Sequence, residues 1–154
     1  QGLFGLANSQ IPMVNMYDDH DIFDGYGSYP HPDMKSPVFS GLGAIAFKYY
    51  ILFQHQSIVT ETENTEPSWI LGSEPGPYIG EVGRSLFMSV GSRVGLLAVD
   101  CRTERTEHDV ISDKSWEKIM NRLYAEVRRG QVEHLMVLLG IPIAYPRLVW
   151  LENM

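Results

Sequence analysis

The sequence contains very little cysteine. Cys101 is the single cysteine among 154 residues, which excludes an internal disulfide and gives no sign of an oxidising compartment. No Asn-x-Ser/Thr acceptor for N-glycosylation occurs either. No apolar stretch is long enough to cross a bilayer, so we expect no membrane segment. These absences favour an intracellular protein and leave the compartment otherwise open.

Basic residues are also scarce relative to acidic ones. Twelve Lys and Arg stand against nineteen Asp and Glu, which gives a net charge of -7. A chain of this charge without a basic groove is not expected to bind nucleic acid, and its carboxylates favour cation binding. Hydrophobic residues make up 44% of the sequence, enough for the core of one domain or of one piece of a larger domain.

Four ionisable residues follow one another at Asp18-Asp19-His20-Asp21. They come directly after the apolar residues 11–17, which predict a buried strand. A fold rarely gathers this much charge unless metal ions or a reaction offset the repulsion and the desolvation cost. Glycines and aromatics at residues 25–29 then predict a bend where backbone comes close to a ligand. We interpret the cluster as half of a metal site at the carboxyl end of a strand.

Two segments follow the charged cluster. Ser36 and Pro37 are typical of a helix start, and the helix through residue 53 is apolar on more than one face, which predicts that it is well buried. Residues 57–83 are acidic and then rich in proline and glycine. They predict a long exposed connection that reaches over the site.

The second half of the chain predicts a strand, a helix and a strand. Residues 93–99 form a buried strand that again ends in charge, at Asp100 and Arg102. Ser112 or Asp113 caps the helix, whose apolar stripe is closed by Gly130. Residues 133–139 give the last strand. This order implies a right-handed parallel crossover, and the fold class is α/β.

The chemistry follows from where the charges fall. Open α/β sheets bind ligands at the carboxyl ends of strands, where both charged clusters are expected. Carboxylates with one imidazole suit divalent or trivalent calcium, iron, manganese or magnesium. Such ions clamp phosphoryl oxygens and lower the pKa of bound water, while Arg102 or Arg105 would neutralise phosphate charge. Phosphoester hydrolysis is the reaction class that fits.

Four blocks of the sequence together resemble the central part of a PhoD-like metallophosphatase of the fungal type. The blocks are residues 18–22, 24–28, 100–106 and 138–146. The resemblance implies a four-layer α/β/β/α sandwich of the calcineurin-like superfamily. Residues 1–154 would be the central portion of one phosphatase domain, incomplete at both ends. It also implies metal-dependent hydrolysis of phosphomonoesters or phosphodiesters.

Residue roles follow from the same resemblance. In the superfamily a Gly-Asn-His-acid motif ends a strand, with the Asn on metal and the His protonating the leaving group. This implies that Asp19 is a metal ligand, joined by Asp18, and that His20 is the general acid or stabilises the transition state. Arg102 would act on the phosphate or support Asp100. The residues expected to hold these groups through hydrogen bonds are Asp21, Asp24, Asp100 and Arg105.

Other interpretations remain open. The chain lacks the family's earlier Gly-Asp block and its later Gly-Asp-Val-His-type block, so we expect an incomplete site with slow or no hydrolysis. Residues 18–21 could be a solvated capping turn, and Asp100, Arg102 and Arg105 a structural ion-pair network. The alternative function is a noncatalytic remnant or interaction module, whose exposed apolar sheet edges call for a protein partner.

Overall fold

The structure is a computed structural model that describes residues 2–144. The predicted family block at 138–146 therefore ends with Tyr145 and Pro146 outside the described residues. The elements in chain order are α1 (Leu3–Asn8), a 3₁₀ turn (Asp19–Asp21), α2 (His31–Met34), α3 (Pro37–Gln54), β1 (Trp69–Pro75), β2 (Val82–Ser89), β3 (Val94–Val99), α4 (Asp113–Arg128) and β4 (His134–Leu139). The fold is a mixed α/β one, as the sequence predicts.

The four strands form one sheet in the order β1-β2-β3-β4. The first two pairings are antiparallel and the pairing of β3 with β4 is parallel, with Ala98 opposite Leu138. Helix α4 connects these parallel strands, which confirms the predicted strand, helix and strand. Ser112 caps α4 by accepting a hydrogen bond from the Ser115 amide, and Ile119 packs into the core on this side of the sheet. Both β3 and β4 therefore deliver their carboxyl ends to one edge.

The predicted strand at residues 11–17 is wrong. This segment has no regular structure and leaves Ile11 and Met13 exposed. Its last residue, Tyr17, is fully buried against Phe47 and Tyr50 of α3. An apolar run becomes a strand only when a neighbouring strand satisfies its backbone groups, and here aromatic packing fixes the segment instead. The acidic cluster therefore follows an anchored irregular segment.

The expected long connection at residues 57–83 is also wrong in part, because it contains β1 and the start of β2. Its prolines lie before β1, at the last position of β1 and in the hairpin, whereas Gly72 lies within β1. The rest of the segment is tied to the sheet by Arg84 on β2. The buried Arg84 guanidinium donates hydrogen bonds to the carbonyls of Val59 and Glu61 and lies over the ring of Trp69.

Helix α3 begins as predicted, with the Ser36 hydroxyl accepting a hydrogen bond from the Phe39 amide. The prediction that it is well buried holds for one face only, which carries Phe47 and Ile51. The opposite face is exposed along its length; its large side chains are Val38, Leu42, Ile45, Tyr49, Leu52 and Phe53. Both faces read as apolar in the sequence, and only packing distinguishes them. Across the described residues, no helix is long and apolar enough to span a membrane.

Candidate functional site

The acidic cluster folds into a tight turn in which carboxylates accept hydrogen bonds from amides of the turn itself. The Asp19 amide donates a hydrogen bond to Asp18 Oδ1 at 2.8 Å, and the Asp18 amide donates to Asp21 Oδ2 at 2.8 Å. This reciprocal capping closes the 3₁₀ turn, because carboxylates satisfy amides that the first helical turn leaves without partners. Asp21 also accepts a hydrogen bond from Gln54 at the end of α3. The turn is thus fixed to the helix behind it.

Both carboxylate oxygens of Asp19 accept hydrogen bonds from backbone amides of the turn. Its Oδ1 accepts a hydrogen bond from the His20 amide, and its Oδ2 accepts one from the Gly25 amide at 2.8 Å. Gly25 has a φ of +71°, a conformation that glycine adopts easily. Desolvation alone raises the pKa of Asp19, but the Gly25 hydrogen bond and the charge of Arg102 outweigh it and leave the pKa below its usual value. Asp19 is therefore ionised at neutral pH.

His20 and Asp24 form a pair on the open side of the turn. His20 Nε2 lies 3.0 Å from Asp24 Oδ1, and the two side chains are 76% and 89% exposed. This hydrogen bond, together with the charge of Asp19, raises the pKa of His20. One ligand atom each from Asp19, His20 and Asp24 lies within 4.8 Å of the others. Two carboxylates and an imidazole at this separation match the ligands of a hard or borderline metal ion.

We expect the Asp24→Asn variant to lower the pKa of His20. Removing the carboxylate charge withdraws the group that favours the imidazolium, so His20 would lose its proton at a lower pH. The measurement is an NMR titration of the His20 ring without metal. Asp109→Asn is the matched control, because Asp109 is exposed and distant in sequence from the turn. An unchanged His20 titration in Asp24→Asn would show that the pair does not control this proton.

Arg102 joins the turn to the ends of β3 and β4. Its Nε donates to Asp18 Oδ1 at 2.7 Å, and its Nη2 donates to the Gly140 carbonyl at 3.3 Å. Nη2 also lies 3.5 Å from Asp19 Oδ1. The Arg102 side chain is only 8% exposed. Of the predicted residues, the structure therefore brings together Asp18, Asp19 and Arg102, from positions more than eighty residues apart.

Asp100 is buried beneath Arg102 and shapes the turn that follows β3. Its carboxylate accepts hydrogen bonds from the amides of Arg84, Arg102 and Thr103, at 2.9 to 3.0 Å, and from the Thr103 hydroxyl at 2.6 Å. Its own amide donates a hydrogen bond to the Ser85 hydroxyl. Asp100 thus supports Arg102 through backbone geometry rather than by a side-chain ion pair. Thr103 was not among the predicted site residues; the available signal was Asp100 itself, because an Asp side chain commonly bonds backbone two residues on, as it does here with the Arg102 amide.

Arg105 lies apart from this network. Its Nε is buried and forms no hydrogen bond within residues 2–144. Its aliphatic stem fills the space beside Gly27, where an added Cβ would lie 2.5 Å from Arg105 Cγ. Gly27 also has a φ of +94°. Arg105 therefore packs against the loop that follows the acidic turn, and sequence reasoning did not identify this role for Gly27.

The fold and site together define an α/β protein in which two parallel strands end beside a turn of carboxylates and one imidazole. The chain belongs to the family described as PhoD related phosphatase, whose model matches residues 1–154. This confirms the family predicted from the four sequence blocks. The protein named Uncharacterized protein YGR266W, from Saccharomyces cerevisiae, is 45% identical over 149 residues. That match covers 92% of this chain and 21% of the yeast protein, so the chain spans about a fifth of this relative. No solved structure matches the chain.

Proposed function

We propose that this chain carries part of a metal-dependent phosphoesterase site that acts on phosphomonoesters or phosphodiesters. The single observation that carries the proposal is the convergence of donor atoms from Asp19, His20 and Asp24 within 4.8 Å, in a chain of a phosphatase family. We propose further that residues 1–154 form the central portion of one phosphatase domain with a four-layer α/β/β/α architecture. This arrangement would place the turn at a strand-end edge, where α/β folds bind ligands.

The donor chemistry fits a calcium, iron, manganese or magnesium ion. Asp19 is ionised, and Asp18 offers a second carboxylate oxygen besides the Oδ1 that accepts from Arg102 and the Asp19 amide. A soft thiolate ligand is not supplied, because burial raises the pKa of Cys101 to about 11. When bound, the metal would polarise a phosphoryl oxygen and lower the pKa of a water molecule. We propose Asp19 and Asp18 as the metal ligands, and we assign His20 and Asp24, whose ligand atoms lie within 4.8 Å of an Asp19 oxygen, to proton transfer beside the metal.

We propose His20 as the general acid. Its Nε2 is exposed and hydrogen-bonded to Asp24, and the raised pKa of His20 keeps more of it protonated near neutral pH than an ordinary histidine. We propose that this proton passes to the leaving-group oxygen as the P–O bond breaks. The charge of Arg102 partly neutralises Asp18 and Asp19, so the turn tolerates its carboxylates.

A second candidate is a noncatalytic interaction module. The observation that favours it is β4, the outer strand of the sheet, whose apolar residues 135–138 are 39 to 52% exposed. An exposed apolar edge strand offers unpaired backbone groups and apolar area to a protein partner. Under this second function the chain has the same fold and family but does not hydrolyse phosphoesters.

The deciding experiment is release of p-nitrophenol from mono- and bis-p-nitrophenyl phosphate. We expect slow release with at least one of calcium, manganese, magnesium or iron, and its loss after chelation and recovery when the ion is restored. Asp109→Asn is expected to behave like the parent chain. If Mn²⁺ binds but no metal supports release, the interaction module becomes the better assignment. Release that persists after chelation would contradict the proposed metal dependence.

A further inference from the structure

We propose that Gly140 and Arg102 are positioning residues that fix Asp18, and through it the turn that carries Asp19 and His20. In this arrangement Arg102 does not contact the phosphate of a substrate. The expected effect on metal binding rests on the proposed function, because Asp18 and Asp19 are the proposed metal ligands. The contacts among Gly140, Arg102 and Asp18 do not depend on it.

The hydrogen bonds of Arg102 indicate that it holds Asp18 in position. Its Nε is committed to Asp18 and its Nη2 to the Gly140 carbonyl, with Asp19 Oδ1 beside it at 3.5 Å. Phosphate recognition by arginine uses two parallel N–H groups that face the ligand. Arg102 is 8% exposed, so its guanidinium faces the protein rather than an incoming substrate. Its charge acts on the carboxylates of the turn.

The Asp18 carboxylate leaves no room for a side chain at position 140. The φ of Gly140 lies outside the left-handed region, so another residue could adopt its backbone. However, a Cβ at Gly140 would lie 2.8 Å from Asp18 Oδ1 and 3.1 Å from Asp18 Cγ. These separations are shorter than van der Waals contact. Only glycine lets the end of β4 touch the Asp18 carboxylate while its carbonyl accepts a hydrogen bond from Arg102.

Asp18 cannot move away without changing the turn. Its Oδ1 accepts hydrogen bonds from both Arg102 Nε and the Asp19 amide, at 2.7 and 2.8 Å. Its amide donates to Asp21, which closes the same turn. A side chain at position 140 would therefore break the hydrogen bond to the Asp19 amide and shift the proposed metal ligands. Mutation of a residue that holds a metal ligand in place usually lowers metal affinity by about 10- to 100-fold.

Two measurements on Gly140→Ala test the inference. The first is hydrogen exchange at the Asp19 amide by NMR without metal, which we expect to be about tenfold faster than in the parent chain. The second is Mn²⁺ affinity by electron paramagnetic resonance, which we expect to fall about tenfold. Gly41→Ala is the matched control, because nothing lies within 4 Å of a Cβ there, and it should change neither value.

The mechanism predicts a non-additive result. In an Asp18→Ala background the Cβ at position 140 has no carboxylate to displace, so Gly140→Ala should cause no further loss of Mn²⁺ affinity. Arg102→Lys should weaken Mn²⁺ binding as Gly140→Ala does. If Arg102→Lys instead keeps Mn²⁺ affinity and weakens only orthophosphate binding to the Mn²⁺-loaded chain, Arg102 is a phosphate ligand and the inference is overturned.

The test separates this inference from the proposed function. Unchanged exchange at Asp19 in Gly140→Ala would overturn the positioning role whatever the chain does with metal. A parent chain that binds no Mn²⁺, or binds it without hydrolysis, would count against the proposed function. The exchange measurement would still decide the role of Gly140 in that case.

Discussion

The Asp19→Asn variant is expected to lose metal-dependent phosphoester hydrolysis by more than about a hundredfold. Asp19 is a proposed ligand whose two oxygens both accept hydrogen bonds from amides, and it is ionised at neutral pH. Asparagine removes the negative charge that attracts the cation. Substitution of residues that merely support a ligand already costs about 10- to 100-fold, so loss of a ligand should cost more. The measurement is p-nitrophenol release at a metal concentration that saturates the parent chain.

The fold of Asp19→Asn should survive. The asparagine carbonyl oxygen still accepts one of the two amide hydrogen bonds that Asp19 receives from His20 and Gly25. We expect a loss of about 1 kcal/mol in the free energy of unfolding, the usual value of one hydrogen bond. Asp109→Asn controls for the change of an exposed carboxylate. Full hydrolysis in folded Asp19→Asn would reject Asp19 as a metal ligand.

The Asp100→Ala variant is expected to lose at least about 3 kcal/mol of stability. Asp100 is buried, and its carboxylate accepts hydrogen bonds from the amides of Arg84, Arg102 and Thr103. Alanine would leave these three donors without acceptors, and each buried donor left unpaired costs about 1–3 kcal/mol. A loss of this size is a large part of the stability of a typical domain. Urea unfolding followed by tryptophan fluorescence measures it.

Asp109→Ala provides the stability control. Asp109 is exposed, and within residues 2–144 only its backbone is hydrogen-bonded, to Thr106. Its substitution should change the free energy of unfolding by no more than about 0.5 kcal/mol. If Asp100→Ala unfolds at the same urea concentration as Asp109→Ala, the Asp100 network does not stabilise the turn after β3.

Helices α3 and α4 were predictable because their signals are local, whereas the short helices α1 and α2 were not predicted. Ser36 and Ser112 each cap the helix that follows, and their side chains bond amides only three residues ahead. The strands β3 and β4 were also predictable, since each is a short continuous apolar run. The same criterion failed at residues 11–17, because an apolar run does not reveal whether a partner strand lies beside it. It also missed β1, where glycine and proline concealed a strand.

In the candidate site, too, the features formed by neighbouring residues were predictable and the long-range contacts were not. Asp18, Asp19, His20 and Asp24 lie within seven residues, so the sequence indicates both the cluster and its chemistry. The hydrogen bond from Arg102 to Asp18 joins residues 84 positions apart. The sequence suggested each residue separately, and the family resemblance implied that Arg102 acts on the phosphate or supports Asp100. The structure instead pairs Arg102 with Asp18, because Asp100 is saturated by backbone amides.

The sequence by itself determined the family, the α/β class, the caps of α3 and α4 and the presence of the acidic cluster, all of which depend on residues close together in the chain. Only the tertiary structure decided which apolar segments pair as strands and which face of α3 is buried. It also decided that Gly140 contacts Asp18. These features depend on distant segments meeting, where hydrogen-bond satisfaction and steric exclusion select one arrangement among many that a local pattern allows.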